Sequence, residues 1–218
     1  MELLVLFNPW WKEGNVPEEL RKNYYRDVFP ELNKMLDLRQ IKIITGLRRV
    51  GKSTLMYQLI QELIKKGIKA TNILYFSFDE KVEELLAILE EYSKLTNIDW
   101  QKEECYLFFD EIQKLNDWSN KLKIIYDRFP NLRFIASGSS SFFLEADAKS
   151  NLVGRHFICK VNPLAFKEFL DIKKSKIDLQ KPELWNKEIK EEFRNYLYAP
   201  FPEITSINDL GLIKQYIR

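Results

Sequence analysis

Gly46-Leu47-Arg48-Arg49-Val50-Gly51-Lys52-Ser53 follows directly on the apolar run Ile41-Lys42-Ile43-Ile44-Thr45 and matches the pattern G-x-x-x-x-G-K-[ST]. The spacing has a physical purpose. Two glycines let a backbone wrap a chain of phosphates, and the amides from about Gly51 to Thr54 point inward at the start of a helix, which makes an anion cradle. In such a loop Lys52 brings positive charge to the β- and γ-phosphates, and the Ser53 hydroxyl ligates the Mg2+ that travels with them. The flanks agree with this reading. A strand-like run lies on one side, and helix-spaced Leu55, Leu59 and Leu63 with Met56, Ile60 and Ile64 lie on the other.

Working outward towards the C-terminus, Gly67 is a helix stop, and Ile73 to Phe78 reads as a fully buried strand. Val82 to Leu95 has apolar residues at helical spacing. Strand, helix, strand, helix predicts an α/β fold with a parallel sheet. Asp79 and Glu80 stand at the carboxyl edge, as polar neighbours of the site or as solvated loop acids. The next strand, Cys105-Tyr106-Leu107-Phe108-Phe109, ends in Asp110-Glu111. An aspartate there can hold Mg2+, directly or through water, and the glutamate after it can polarise an attacking water. A helix is expected over Trp118 to Arg128. The following strand, Leu132 to Ser137, ends in Ser137-Gly138-Ser139-Ser140-Ser141. A hydroxyl in that string, Ser139 first, could touch the γ-phosphate or the attacking water, and the alternative is an ordinary serine turn. Gly154-Arg155 precedes the strand-like His156 to Val161, and Arg155 could stabilise γ-phosphate charge in cis or from a neighbouring subunit.

Before the loop stand about forty residues that a minimal nucleotide-binding fold does not need. Asn8-Pro9-Trp10-Trp11 is either an exposed anchor for a partner or the dock of a terminal arm on its own domain. Leu20, Tyr24 and Val28 predict a helix from Pro17, with Arg21, Lys22 and Arg26 on a solvated face or, as the lesser alternative, touching a nucleotide base or phosphate. Pro30 should break it, and Leu32, Met35 and Leu36 suggest a second short helix. Beyond Pro163, the reading is a short helix to Leu170, a mixed-charge connector over 171–181, a helix from Glu183 to Tyr198, and an amphipathic run from Asp209 that lacks a stop signal. The expected division is an arm over 1–38, a core over 39–165, and a helical extension over 166–218 that begins a longer C-terminal region.

Composition narrows the function classes. With 45% hydrophobic and 30% charged residues the chain should fold, and a net charge of +2 lacks the basic excess of a dedicated nucleic-acid binder, leaving protein or DNA partners open. Cys105 and Cys159 lie in apolar runs without a CxxC companion, and His156 is the single histidine, so buried thiols are expected and a His/Cys metal site is not. No apolar run approaches a membrane span and the start lacks a signal-peptide flank, so a cytoplasmic protein is expected.

Five motifs in order carry a resemblance: Gly46 to Ser53; Phe108-Phe109-Asp110-Glu111-Ile112-Gln113; Ser137 to Ser140; Leu152-Val153-Gly154-Arg155; and Pro163 to Leu170. Over about residues 8 to 205, the Asn-Pro-Trp-Trp arm included, the chain resembles the archaeal-type AAA+ ATPases, relatives of the signal-transducing STAND ATPases. The resemblance implies a P-loop NTPase of the AAA+ type, with a five-stranded parallel sheet in the order 5-1-4-3-2 flanked by helices. It implies ATP or ADP with Mg2+ as ligands. Gly46, Arg49, Val50, Gly51, Lys52, Ser53 and Thr54 would bind nucleotide, Ser53 and Asp110 would serve the metal, and Glu111 would activate water. Ser139 would be the first sensor and Arg155 the Gly-Arg arginine, which could join copies of the chain into a homo-oligomer. Family members usually continue into a winged-helix region and a further domain. ATP is favoured over GTP because no Asn-Lys-x-Asp motif occurs. The competing expectation is a nucleotide-gated switch with little turnover.

Overall fold

The computed structural model describes residues 2–139, 151–173 and 187–198. Contacts divide the chain into two compact units, Met1–Thr45 with Lys52–Lys160, and Gly46–Gly51 with Val161–Arg218.

Five strands form one sheet: β1 (Ile41–Gly46), β2 (Ile73–Ser77), β3 (Cys105–Asp110), β4 (Leu132–Gly138) and β5 (His156–Val161). Their order is β2-β3-β4-β1-β5, which is the expected 5-1-4-3-2 read from the other edge. The pairings β1 with β4, β2 with β3 and β3 with β4 are parallel. All residues of β1, β2 and β3 are buried, as both faces of a parallel sheet must be when helices cover them. The larger covering helices are α5 (Lys52–Lys65), α6 (Leu85–Thr96) and α7 (Trp118–Arg128). The core of this unit gathers Ile43, Leu74, Phe76, Leu89, Leu107, Phe109, Leu122 and Phe134.

Four short helices precede the sheet: α1 (Glu2–Phe7), α2 (Trp10–Glu13), α3 (Glu18–Arg21) and α4 (Phe29–Met35). The two tryptophans dock inward. Trp10 is fully buried, and the indole N–H groups of Trp10 and Trp11 donate to the Ile73 carbonyl at 3.1 and 2.8 Å. Asn8 does more. Its amide Oδ1 accepts from the Tyr75 N–H at 2.6 Å while its Nδ2 donates to the Tyr75 carbonyl at 2.9 Å. One side chain thus imitates a neighbouring strand along the edge of β2, where unpaired backbone groups would otherwise invite another chain. The exposed-anchor reading of the tryptophans is overturned.

The helix expected from Pro17 through Val28 is also corrected. It stops at Arg21 because Lys22 adopts φ 51°, and the Tyr24 carbonyl beyond it accepts from Gln58 of α5 at 2.8 Å. Tertiary bonding there replaces the helical ladder. Pro30 sits in the first turn of α4 and so opens a helix, where its missing N–H costs nothing. The helix read from Val82 begins at Leu85.

In the second unit, α8 (Phe166–Ile172) and α9 (Lys187–Tyr198) meet through Phe169, Leu170 and Phe193, with Leu164, Phe166 and Tyr196 around them. The readings for Ser140 and Ser141, for 174–186 and for Asp209 onward lie outside the described residues.

Candidate nucleotide site

The loop between β1 and α5 has the backbone that its glycines require. Gly51 adopts φ 95° and Arg49 φ 65°, left-handed positions whose alternation turns successive N–H groups to one side. At Gly46 the constraint is contact, since a Cβ there would lie 2.4 Å from the Val161 carbonyl oxygen. Val50 is buried and Arg49 exposed. Helix α5 then begins at Lys52, and Ser53 and Thr54 lie in its first turn.

Around the start of α5 and the end of β3 the side chains converge. The Ser53 hydroxyl donates to Asp110 Oδ2 at 2.5 Å, and the Tyr75 hydroxyl donates to the same oxygen at 2.8 Å. The Ser137 hydroxyl donates to Asp110 Oδ1, and the Glu111 N–H lies 3.2 Å from Oδ1 and 3.1 Å from Ser137 Oγ. A carboxylate only accepts, and offers about four lone-pair directions. Asp110, 3% exposed, has four donors around it. Burial, together with the facing Asp110 charge and Tyr57, pushes the Tyr75 phenol far up, so its hydroxyl remains a donor.

Glu111 follows in a left-handed backbone, φ 52° and ψ 41°, which turns its side chain out of the strand. Its Oε1 lies 3.6 Å from Lys52 Nζ, and its Oε2 accepts from Gln113 Nε2 at 2.5 Å. The opposite amide oxygen of Gln113 is buried without a partner among the described residues.

Lys52, Ser53, Asp110 and Glu111 are therefore brought together. Ser139 is half-buried just past the end of β4; the hydroxyl that reaches Asp110 is that of Ser137. Arg155 is elsewhere. Its carbonyl accepts from the Ile41 N–H, at the amino end of β1, roughly 13 Å below Thr45 at the ~3.3 Å rise of a strand. Its guanidinium grips Asp127 with two bonds, 2.8 and 3.1 Å, so within one chain it is not directed at Lys52 and Asp110. Asp79 pairs with Lys114 across an open cleft of about 750 Å3 that Glu80 and Lys121 also line. Sequence reasoning missed Tyr75, Ser137 as a partner of Asp110, and Gln113.

The donor set suits a metal that arrives on phosphate. Mg2+ takes oxygen ligands and is held by one or two protein groups beside phosphates and water. Ser53 and Asp110 supply such oxygens, and among the described residues no group of three His, Cys, Asp or Glu forms a protein-only metal cage.

A parallel sheet, a glycine-bearing loop feeding a helix, and an Asp-Glu pair at the end of an inner strand one place removed from the loop's own strand define an α/β protein of the P-loop nucleotide-binding class. The chain belongs to the AAA domain family, whose sequence model matches residues 38–170. It is 32% identical over 182 residues to the uncharacterized protein MJ1544 of Methanocaldococcus jannaschii, covering 82% of this chain and 39% of that protein. An uncharacterized protein of Haemophilus influenzae is 32% identical over 155 residues, with 70% and 38% covered. MJ1637 of M. jannaschii is 32% identical over 161 residues, with 71% and 33% covered. The chain thus spans between a third and two-fifths of the curated relatives it matches. No helix among the described residues is long and apolar enough to cross a membrane.

Proposed function

We propose that this chain binds ATP with Mg2+ and hydrolyses the bond between the β- and γ-phosphates, using the energy to change conformation. The observation that carries the reading is the meeting of Lys52 and Ser53 with Asp110 and Glu111. Loop amides and Lys52 hold the phosphates, with Gly46, Arg49, Val50, Gly51 and Thr54 completing the binding stretch. Ser53 and Asp110 serve the metal, whose contribution is to neutralise charge on the transferred phosphoryl group. Glu111 orients and deprotonates the attacking water. Ser139 senses the γ-phosphate. The kinship we favour is with archaeal-type AAA+ ATPases and STAND switches, with an arm over 1–38, a core over 39–165 and an extension from 166.

The test is isothermal titration with ADP and a slowly hydrolysed ATP analogue, with and without Mg2+, against the guanine nucleotides. Tight Mg2+-dependent adenine binding is expected, and a clear GTP preference would sink the reading. Arg155 acts, on this reading, in trans: mixing Arg155→Ala with Glu111→Gln protein restores activity at shared interfaces, and absence of rescue leaves Arg155 a structural role.

A second reading has its own support. Glu111 is bonded to Gln113 and faces Lys52, an arrangement suited to a nucleotide-gated switch that turns over rarely and delivers its output through a protein or DNA partner or a further domain. Turnover measured with and without such partners separates the two.

A further inference from the structure

Tyr75 links two parts of the molecule that have no sequence proximity. Its hydroxyl donates to Asp110 Oδ2 at 2.8 Å, on the same oxygen that receives Ser53. Its backbone, by contrast, belongs to the arm, because Asn8 holds both the N–H and the carbonyl of this one residue. The ring is gripped as well. Phe7 and Trp10 meet it edge-on at 6.3 and 6.5 Å between centroids, and Tyr57 of α5 lies tilted at 4.7 Å. A tyrosine held at its backbone and ring has little freedom left for its hydroxyl. Tyr75 is 3% exposed, so water cannot replace the phenol as a donor to Asp110 without a cavity opening.

We propose that Tyr75 is a positioning residue that fixes the carboxylate of Asp110 for the metal–nucleotide complex, and that the N-terminal arm, through Asn8, holds it there. This rests on the assignment of Asp110 to the Mg2+ site. The physical argument is that of outer partners around a metal: a carboxylate held by donors on some of its lone pairs keeps one orientation in which the others can meet the metal or its water, and removing such a donor lets it rotate. Tyr75→Phe deletes the donor and keeps the ring, so packing is preserved. Asn8→Ala keeps the donor and loosens its support.

The experiment compares nucleotide affinity in Mg2+ with that in EDTA, by titration of the full chain with a slowly hydrolysed ATP analogue. The ratio of the two affinities is the readout. In Tyr75→Phe it should fall about tenfold, with affinity in EDTA unchanged; Asn8→Ala should move it the same way by a smaller factor. Asp110→Asn is the control on the assignment beneath. If Asp110→Asn lowers the ratio and Tyr75→Phe matches wild type, the role of Tyr75 is overturned and the metal site stands. If both match wild type, the metal site falls and the inference with it. A Tyr75→Phe protein that melts earlier yet keeps the wild-type ratio overturns the inference too, since its tyrosine would be structural. Tyr75→Phe shifted and Asn8→Ala unshifted would remove the arm from the account.

Discussion

The two ends of the parallel sheet carry similar charges and use them differently. At the carboxyl end Lys52, Ser53, Asp110 and Glu111 converge from a helix and a strand onto one place. At the amino end the charges are spent in separate structural pairs. Arg155 grips Asp127, Arg39 lies 4.4 Å over the Tyr126 ring and donates to the Tyr126 carbonyl, and Lys42, 1% exposed, donates to the carbonyls of Leu36 and Leu38 behind α4. The lesson is that convergence, more than charge, marks the site. A buried lysine amine on backbone carbonyls ties down a chain turn, whereas a lysine facing a strand-end carboxylate beside a glycine loop is placed to meet a ligand.

The contrast is broken most sharply at Glu111. Glu111→Gln should lower the hydrolysis rate by about 10^2- to 10^4-fold, the usual range for a positioned base, with ATP affinity retained; an unchanged rate in a phosphate-release assay would remove Glu111 from the chemistry. Lys52→Ala should weaken nucleotide binding by roughly 10- to 150-fold, the worth of a charge-assisted contact, as read by calorimetry, and wild-type affinity would refute the loop assignment.

At the other end the effects are on stability. Burial, reinforced by the nearby Arg133 charge and opposed by Asp37, pushes the Lys42 amine down to about 7 from 10.5. Between those values the unfolded chain holds a proton that the folded chain does not, so stability should rise with pH across that window, by at most ~1.4 kcal/mol per pH unit. Below pH 7 both states are protonated and the folded state bears the whole penalty. Urea unfolding at several pH values should show this rise, and Lys42→Met should flatten it; a slope that survives belongs to another group. Smallest is Arg155→Ala in a single chain. The Asp127 pair is partly exposed, and such pairs contribute little, so the melting temperature and nucleotide affinity should match wild type. A large loss of affinity would place Arg155 at the site after all.

Much of the fold is legible locally. The loop, the periodicity of α5, the limits of α7 and the strand that ends in Asp110 each depend on neighbours a few residues away. The missing parts depend on register. Tyr75 and Ser137 reach Asp110 across 35 and 27 residues, and nothing in Ile73 to Phe78 says which side chain will reach the carboxylate. The four-residue spacing of Leu20, Tyr24 and Val28 is helical on paper, and the bond from Gln58 that overrules it is tertiary. Gly-Arg at 154–155 names a motif without saying which end of the sheet it will occupy. The left-handed backbone of Glu111, on a residue type that rarely adopts it, has no signature in the sequence.

The Asn8 clamp also imposes an order of events. Its partner lies 67 residues further along the chain, so during synthesis the arm emerges long before there is an edge for it to seat on. The clamp grips backbone groups of Tyr75 itself, so it cannot close before that residue has been made and β2 offers it an edge. Until then the outer edge of β2 stays open to pairing with other chains. Once seated, the arm covers two backbone groups of that outer edge with a single side chain, and so protects the sheet without adding a strand to it.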